Sequence, residues 1–154
     1  MRKKRIKRAI AALIVLLAIA ALMLNLNRIV ASRYEILGAD VSHWQGDVDF
    51  SLLEQQGVRF AFIKATEGSA HVDEKFEENL ARVQETDMKF GFYHFFSFDS
   101  PGETQAENYI ARVPALENLL PPVIDVEYYG DYFRHPPEIE PVQAQLRAMI
   151  DRLE

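Results

Sequence analysis

The sequence predicts an α/β fold of parallel strands joined by helical crossovers. Three observations carry this reading. Four short apolar runs end in polar residues, a helical pattern follows each, and the runs are nearly continuous in apolar character, as strands buried on both faces require. Two architectures fit, an open doubly wound sheet and a (β/α) barrel. No Gly-rich phosphate loop of the GxGxxG or GxxxxGK[ST] type follows any strand, which weakens the nucleotide-binding version of the open sheet. In a barrel, chemistry collects at the C-terminal ends of the strands.

Ile36-Leu37-Gly38-Ala39-Asp40-Val41 is the first strand, and Asp49 to Gly57 a short helix with Gly57 as its stop. Arg59-Phe60-Ala61-Phe62-Ile63-Lys64-Ala65-Thr66 is the second strand. Asp73 to Glu85 is helical, since Phe76, Leu80 and Val83 recur on one face. Lys89-Phe90-Gly91-Phe92-Tyr93-His94-Phe95-Phe96 is an aromatic third strand, followed by a helix from Pro101 to Arg112 that buries Ala106, Tyr109, Ile110 and Val113. Pro122 to Glu127 is the fourth strand, and Val142, Leu146, Met149, Ile150 and Leu153 mark a fourth helix started near Pro141.

Charge is distributed unevenly. Residues 1–33 hold eight of the 17 Lys and Arg and none of the 23 Asp and Glu, so the remainder has nine basic against 23 acidic groups, a formal net charge of −14. A body this acidic is unsuited to nucleic acid, whose phosphates need clustered cations. Cysteine is absent, which excludes disulfides, thiolate zinc sites and a Cys nucleophile. The four histidines lack HxH or HExxH spacing, so no metal and no cofactor is expected.

The basic residues at 2–8 precede sixteen apolar residues, Ala9 to Leu24, the pattern of an export signal. The domain organisation read from this is a basic cytoplasmic region (1–8), a transmembrane signal anchor or cleavable signal peptide (9–26), a linker (27–34) and a domain over 35–154. Either form places the acidic body outside the membrane, held at the cell membrane or secreted, because the positive flank stays in the cytoplasm.

The candidate chemistry rests on paired carboxylates. Asp125 and Glu127 lie two apart on a strand, so their side chains share a face with backbones roughly 6.6 Å apart. Two carboxyls facing one cavity meet the requirement for acid/base work on a glycosidic bond, provided one is held protonated while the other is ionised. Asp40, ending the first strand, adds a third. Spacing alone is equally consistent with solvated strand-end acids. Tyr93, Phe95 and Trp44 are candidate sugar-binding aromatics, and His94 and His43 candidate hydrogen-bonding partners of substrate or carboxylate; core packing is the competing role for each.

Gly38-Ala39-Asp40-Val41-Ser42-His43-Trp44-Gln45-Gly46 resembles the opening strand of glycoside hydrolase family 25, the Chalaropsis-type lysozymes. Four later segments are similar in order: Phe60 to Gly68, Gly91 to Phe95, Gln105-Ala106, and Leu120 to Glu127. The resemblance implies an irregular (β/α) TIM-like barrel and a muramidase that cleaves the β-1,4 bond between N-acetylmuramic acid and N-acetylglucosamine in the glycan strands of peptidoglycan. It implies Glu127 as proton donor, Asp125 as the partner that stabilises the oxocarbenium-like centre or orients the 2-acetamido group, and Asp40 as the third acid. Retention, inversion and acetamido assistance all remain open at this level.

A (β/α) barrel takes about 200–250 residues or more, so residues 35–154 correspond to its first four βα units. The expectation is therefore of a barrel cut short after the fourth unit, with an open edge that invites self-association. The alternative function is an inactive, wall-associated binding or scaffold remnant of such an enzyme.

Overall fold

The structure is a computed structural model that describes residues 2–31 and 33–154. Its backbone divides into two units, Met1–Leu37 and Gly38–Glu154.

In the first unit the expected N-terminal helix forms as α1 (Arg2–Ala31). Ile10, Leu13, Leu16, Leu17 and Met23 are all exposed. The expectation of a membrane-spanning segment over 9–26 is met only as far as the helix. Among the described residues, no helix is long and apolar enough to cross a membrane.

The second unit is built on β1 (Leu37–Val41), β2 (Val58–Glu67), β3 (His71–Val72), β4 (Lys89–Phe95) and β5 (Val123–Asp125). The order in the sheet is β1-β2-β4-β5, with β2–β4 and β4–β5 parallel and β3 a short antiparallel return on β2. Helices α2 (Phe50–Gln55), α3 (Phe76–Val83), α4 (Gly102–Arg112) and α5 (Ile139–Leu153) provide the crossovers. This is the strand–helix order of half a (β/α) barrel, the α/β class read from the sequence.

Alternation along the strands sorts the side chains. Ala61, Ile63 and Phe92 point toward the helices and join Phe50, Phe76, Val83 and Tyr109 in the main core. A second core of Phe96, Ala106 and Met149 cements α4 against α5. Gly102 marks that contact, since a Cβ there would land on the backbone carbonyl oxygen of Gln145. Ile110, expected inside, is 46% exposed, because the buried stripe of α4 runs through Gln105, Ala106 and Tyr109 instead.

Two deviations from the expected elements shape the site. A bulge between Lys64 and Thr66 inserts Ala65 into β2, so Lys64 pairs with Tyr93 and Glu67 with Phe95. Three residues apart on a regular strand, Lys64 and Glu67 would face opposite sides; the bulge brings them to one. The fourth strand also stops at Asp125 rather than Glu127. Phe95 ends β4, and the bond from Phe96 N to Asp125 O (2.8 Å) is the last rung available to it.

Candidate active site

The face of the sheet away from the helices carries a cleft of about 360 Å³, lined by Asp40, Phe62, Tyr93, Val123, Ile124, Asp125, Val126 and Glu127. Four expected site residues therefore meet in one place: Asp40 from β1, Tyr93 from β4, Asp125 at the end of β5 and Glu127 just beyond it. Phe62 forms a wall. Its ring lies over Gly91, where a Cβ would come within 2.8 Å of Phe62 Cε1, so the aromatic wall requires a glycine opposite.

Burial and charge set the electrostatics. Asp125 is half-buried, and its pKa is raised above the ordinary carboxylate value first by burial and then by the negative charges of Glu127 and Asp40, while Lys64 opposes the shift. Tyr93, 9% exposed, has its phenol pushed well above the usual range by burial foremost and then by Asp40, against a hydrogen bond from Ser42 that favours ionisation. It stays a neutral hydroxyl beside carboxylates. Lys64 is 4% exposed, pairs with Glu67 at 2.6 Å and sits 4.7 Å over the Phe95 ring. Sequence reasoning did not single out Lys64, although a lone cation inside an otherwise apolar strand was the available signal.

Glu127 is exposed and lies off the sheet, so its position depends on its flanks. On one side Asp125 is held by the ladder. On the other, the Tyr129 hydroxyl accepts from Phe98 N (3.0 Å), pairs with Ser97 Oγ (3.1 Å) and donates to Asp99 Oδ2 (2.9 Å). Tyr132 donates to Asp99 Oδ1 at 2.5 Å, and Tyr129 stacks on Phe98 at 5.5 Å. This clamp ties the loop after β4 to the loop after β5. Nothing in the spacing of residues thirty positions apart announces it.

Four candidates are not among the residues lining the cleft. Phe95 is half-buried between Lys64 and Tyr129, whose ring is 5.8 Å away. His94 is 0% exposed on the helix side of the sheet, where Nε2–H donates to Gln105 Oε1 (3.1 Å) and Nδ1 accepts from Thr66 Oγ1 (2.8 Å). Burial lowers its pKa and keeps the ring neutral. It braces the sheet against α4 and is not brought to the cleft. Trp44 is 81% exposed on a 3₁₀ turn, His43–Gln45, after β1. His43 gives Nδ1–H to Asp73 Oδ2 at 2.7 Å, a carboxylate partner within the fold. Among the described residues, no cluster of three or more His, Asp or Glu could hold a metal ion.

Residues 39–154 match the model of the family described as Glycosyl hydrolases family 25. The chain belongs to glycosyl hydrolase family 25. Within the family it is similar to a solved structure, the family 25 glycosyl hydrolase from Bacillus anthracis, at 55% identity and a TM-score of 0.77, over 79% of this chain and 56% of that one. It is 40% identical over 106 residues to the Escherichia coli protein YegX, covering 66% of this chain and 39% of that protein. It is also 35% identical to Lysozyme M1 of Streptomyces globisporus over 60% of this chain and 33% of that protein. The chain thus spans about two fifths or less of these two curated relatives, and the family match begins one residue before Asp40.

Proposed function

We propose that the chain is a lysozyme-type muramidase, hydrolysing the β-1,4 bond between N-acetylmuramic acid and N-acetylglucosamine in peptidoglycan. The observation that carries this reading is the convergence of Asp40, Asp125 and Glu127 on one cleft with a neutral Tyr93. Membership of family 25 and similarity to a Streptomyces lysozyme supply the substrate class.

Burial foremost, and then the negative charges of Glu127 and Asp40, raise the pKa of Asp125 at this cleft. Glu127 lines both this cleft and an adjoining apolar hollow that includes Phe98, Tyr128, Ile139 and Val142. A glycan lying across the boundary between the two presents its bridging oxygen to Glu127, which donates the proton to the leaving group. Asp125 then faces the oxocarbenium-like centre or the 2-acetamido group, and Asp40 supports it from β1. Tyr93 donates a hydrogen bond to a substrate oxygen or to a neighbouring carboxylate.

Residues 2–31 fit an export segment, with six cations ahead of an apolar run, that delivers the acidic domain outside the membrane as an anchor or as a cleaved signal. N-terminal sequencing of the mature protein separates the two.

The test is product chemistry. Purified peptidoglycan is digested, new reducing ends are fixed with borohydride, and the reduced amino sugar is identified. Muramicitol is expected. Glucosaminitol would place the cut at the other bond, and an absence of new ends from the folded protein would favour a wall-binding remnant.

A further inference from the structure

Trp44 is the most exposed large apolar side chain of its unit, yet it is held firmly. Ser42 caps the three-residue turn, its Oγ accepting from Trp44 N at 3.3 Å, while Gln45 Oε1 accepts from Ser42 N at 2.7 Å and from Ser42 Oγ at 3.1 Å. Asp73, whose side chain is 0% exposed, accepts from His43 N (3.1 Å) and His43 Nδ1 (2.7 Å) through Oδ2 and from Lys75 N (3.0 Å) through Oδ1. The pinned imidazole lies 4.7 Å from the indole at a 37° tilt and backs one side of it. A buried carboxylate and a reciprocal cap thus fix a short turn whose most prominent product is an indole in water.

Resting on the glycan reading above, we propose that Trp44 and His43 form a separate sugar-binding subsite on the rim beside the carboxylate cleft. An indole plate stacks against the C–H face of a pyranose, combining apolar contact with a polar edge. With Nδ1–H committed to Asp73, the His43 ring has Nε2 left for a hydrogen bond with a sugar hydroxyl at that edge. Its surroundings argue against a protein partner. Gln45 and Asp47 are exposed and polar, and one indole is far smaller than the apolar patches of several hundred Å² that mark protein docking sites. The subsite follows directly on the strand that carries Asp40, which lies four residues before Trp44.

Trp44 is the single tryptophan of the chain, so fluorescence reports this position alone. The probe is a peptide-free tetrasaccharide of alternating N-acetylglucosamine and N-acetylmuramic acid, added to the Glu127→Gln protein to prevent turnover. A saturable change in emission with protection from acrylamide quenching is expected, as is about a tenfold loss of calorimetric affinity in Trp44→Ala. His43→Gln, with the indole in place, should weaken binding severalfold. Calorimetric binding with unchanged emission, and the same affinity in Trp44→Ala, would overturn the subsite while leaving the muramidase reading intact. An equal emission change with maltotetraose would overturn its assignment to amino-sugar glycan. No binding by either measurement would overturn the subsite together with the reading it rests on.

Discussion

Gln105 is wholly buried, and every hydrogen-bonding position of its amide is used. Oε1 accepts from His94 Nε2 (3.1 Å) and Ser97 N (2.8 Å), while Nε2 donates to Ser97 O (3.0 Å) and Ser100 O (2.9 Å). The residue shapes the loop after β4, the same loop whose Ser97, Phe98 and Asp99 hold Tyr129 and through it the segment carrying Glu127. Replacing Gln105 with Met keeps an unbranched side chain of similar length and removes all four bonds. The orphaned His94 N–H has no access to water and costs about 2 kcal/mol, whereas the half-exposed Ser97 and Ser100 groups regain water and cost about 0.5 kcal/mol each. Gln105→Met is therefore expected to lose about 3.5 kcal/mol in urea unfolding followed by circular dichroism, with an unchanged denaturant slope. Glycan release should fall along with it. A loss below about 1 kcal/mol would refute the reasoning, because the loop would then keep its shape without the amide.

Other consequences follow from the same contacts. Gly102→Ala should cost about 1–3 kcal/mol in the same unfolding measurement, because the added methyl meets the backbone of α5 at Gln145 rather than a side chain that can swing away; unchanged stability would mean that the two helices are not in close contact. Tyr129→Phe keeps the ring stacked on Phe98 and removes only the hydroxyl clamp, so glycan release should drop about tenfold through kcat with KM little changed; an unaltered rate would detach Glu127 from that clamp. His94 is held neutral by burial, with its folded pKa below the unfolded value near 6.5, so unfolding takes up a proton in that window. Stability should accordingly fall as pH drops below about 6.5, before the carboxylates titrate, and His94→Gln should flatten that part of the profile.

Much of this fold was legible because period and punctuation agree with it. Phe76 and Val83 do lie on the buried face of α3, and the aromatic run Lys89–Phe95 does form a central strand. The carboxylate cluster was legible for the same reason, since strand-end acids in a parallel sheet share an edge. What alternation does not say is which face is the inside. Tyr93 and His94 look equally eligible as neighbours on one strand, and only the position of α4 sends His94 to Gln105 and Tyr93 to the cleft. The bulge at Ala65 reverses the parity of β2 within a motif that otherwise reads as regular. Trp44 was expected either in the core or against sugar, and its exposure follows from a turn fixed by Asp73, thirty residues away and silent in any local pattern.

The central claim is that Glu127 delivers a proton to a glycosidic oxygen within this carboxylate cleft. The most direct test counts new muramic acid reducing ends released from peptidoglycan by the protein and by Glu127→Gln, after circular dichroism has shown the two to be equally folded. The substitution removes the transferable proton donor and leaves the shape of the side chain, so release should fall by about 10²-fold or more. Release from Glu127→Gln at the rate of the unaltered protein would contradict the assignment of the acid and the account built on it.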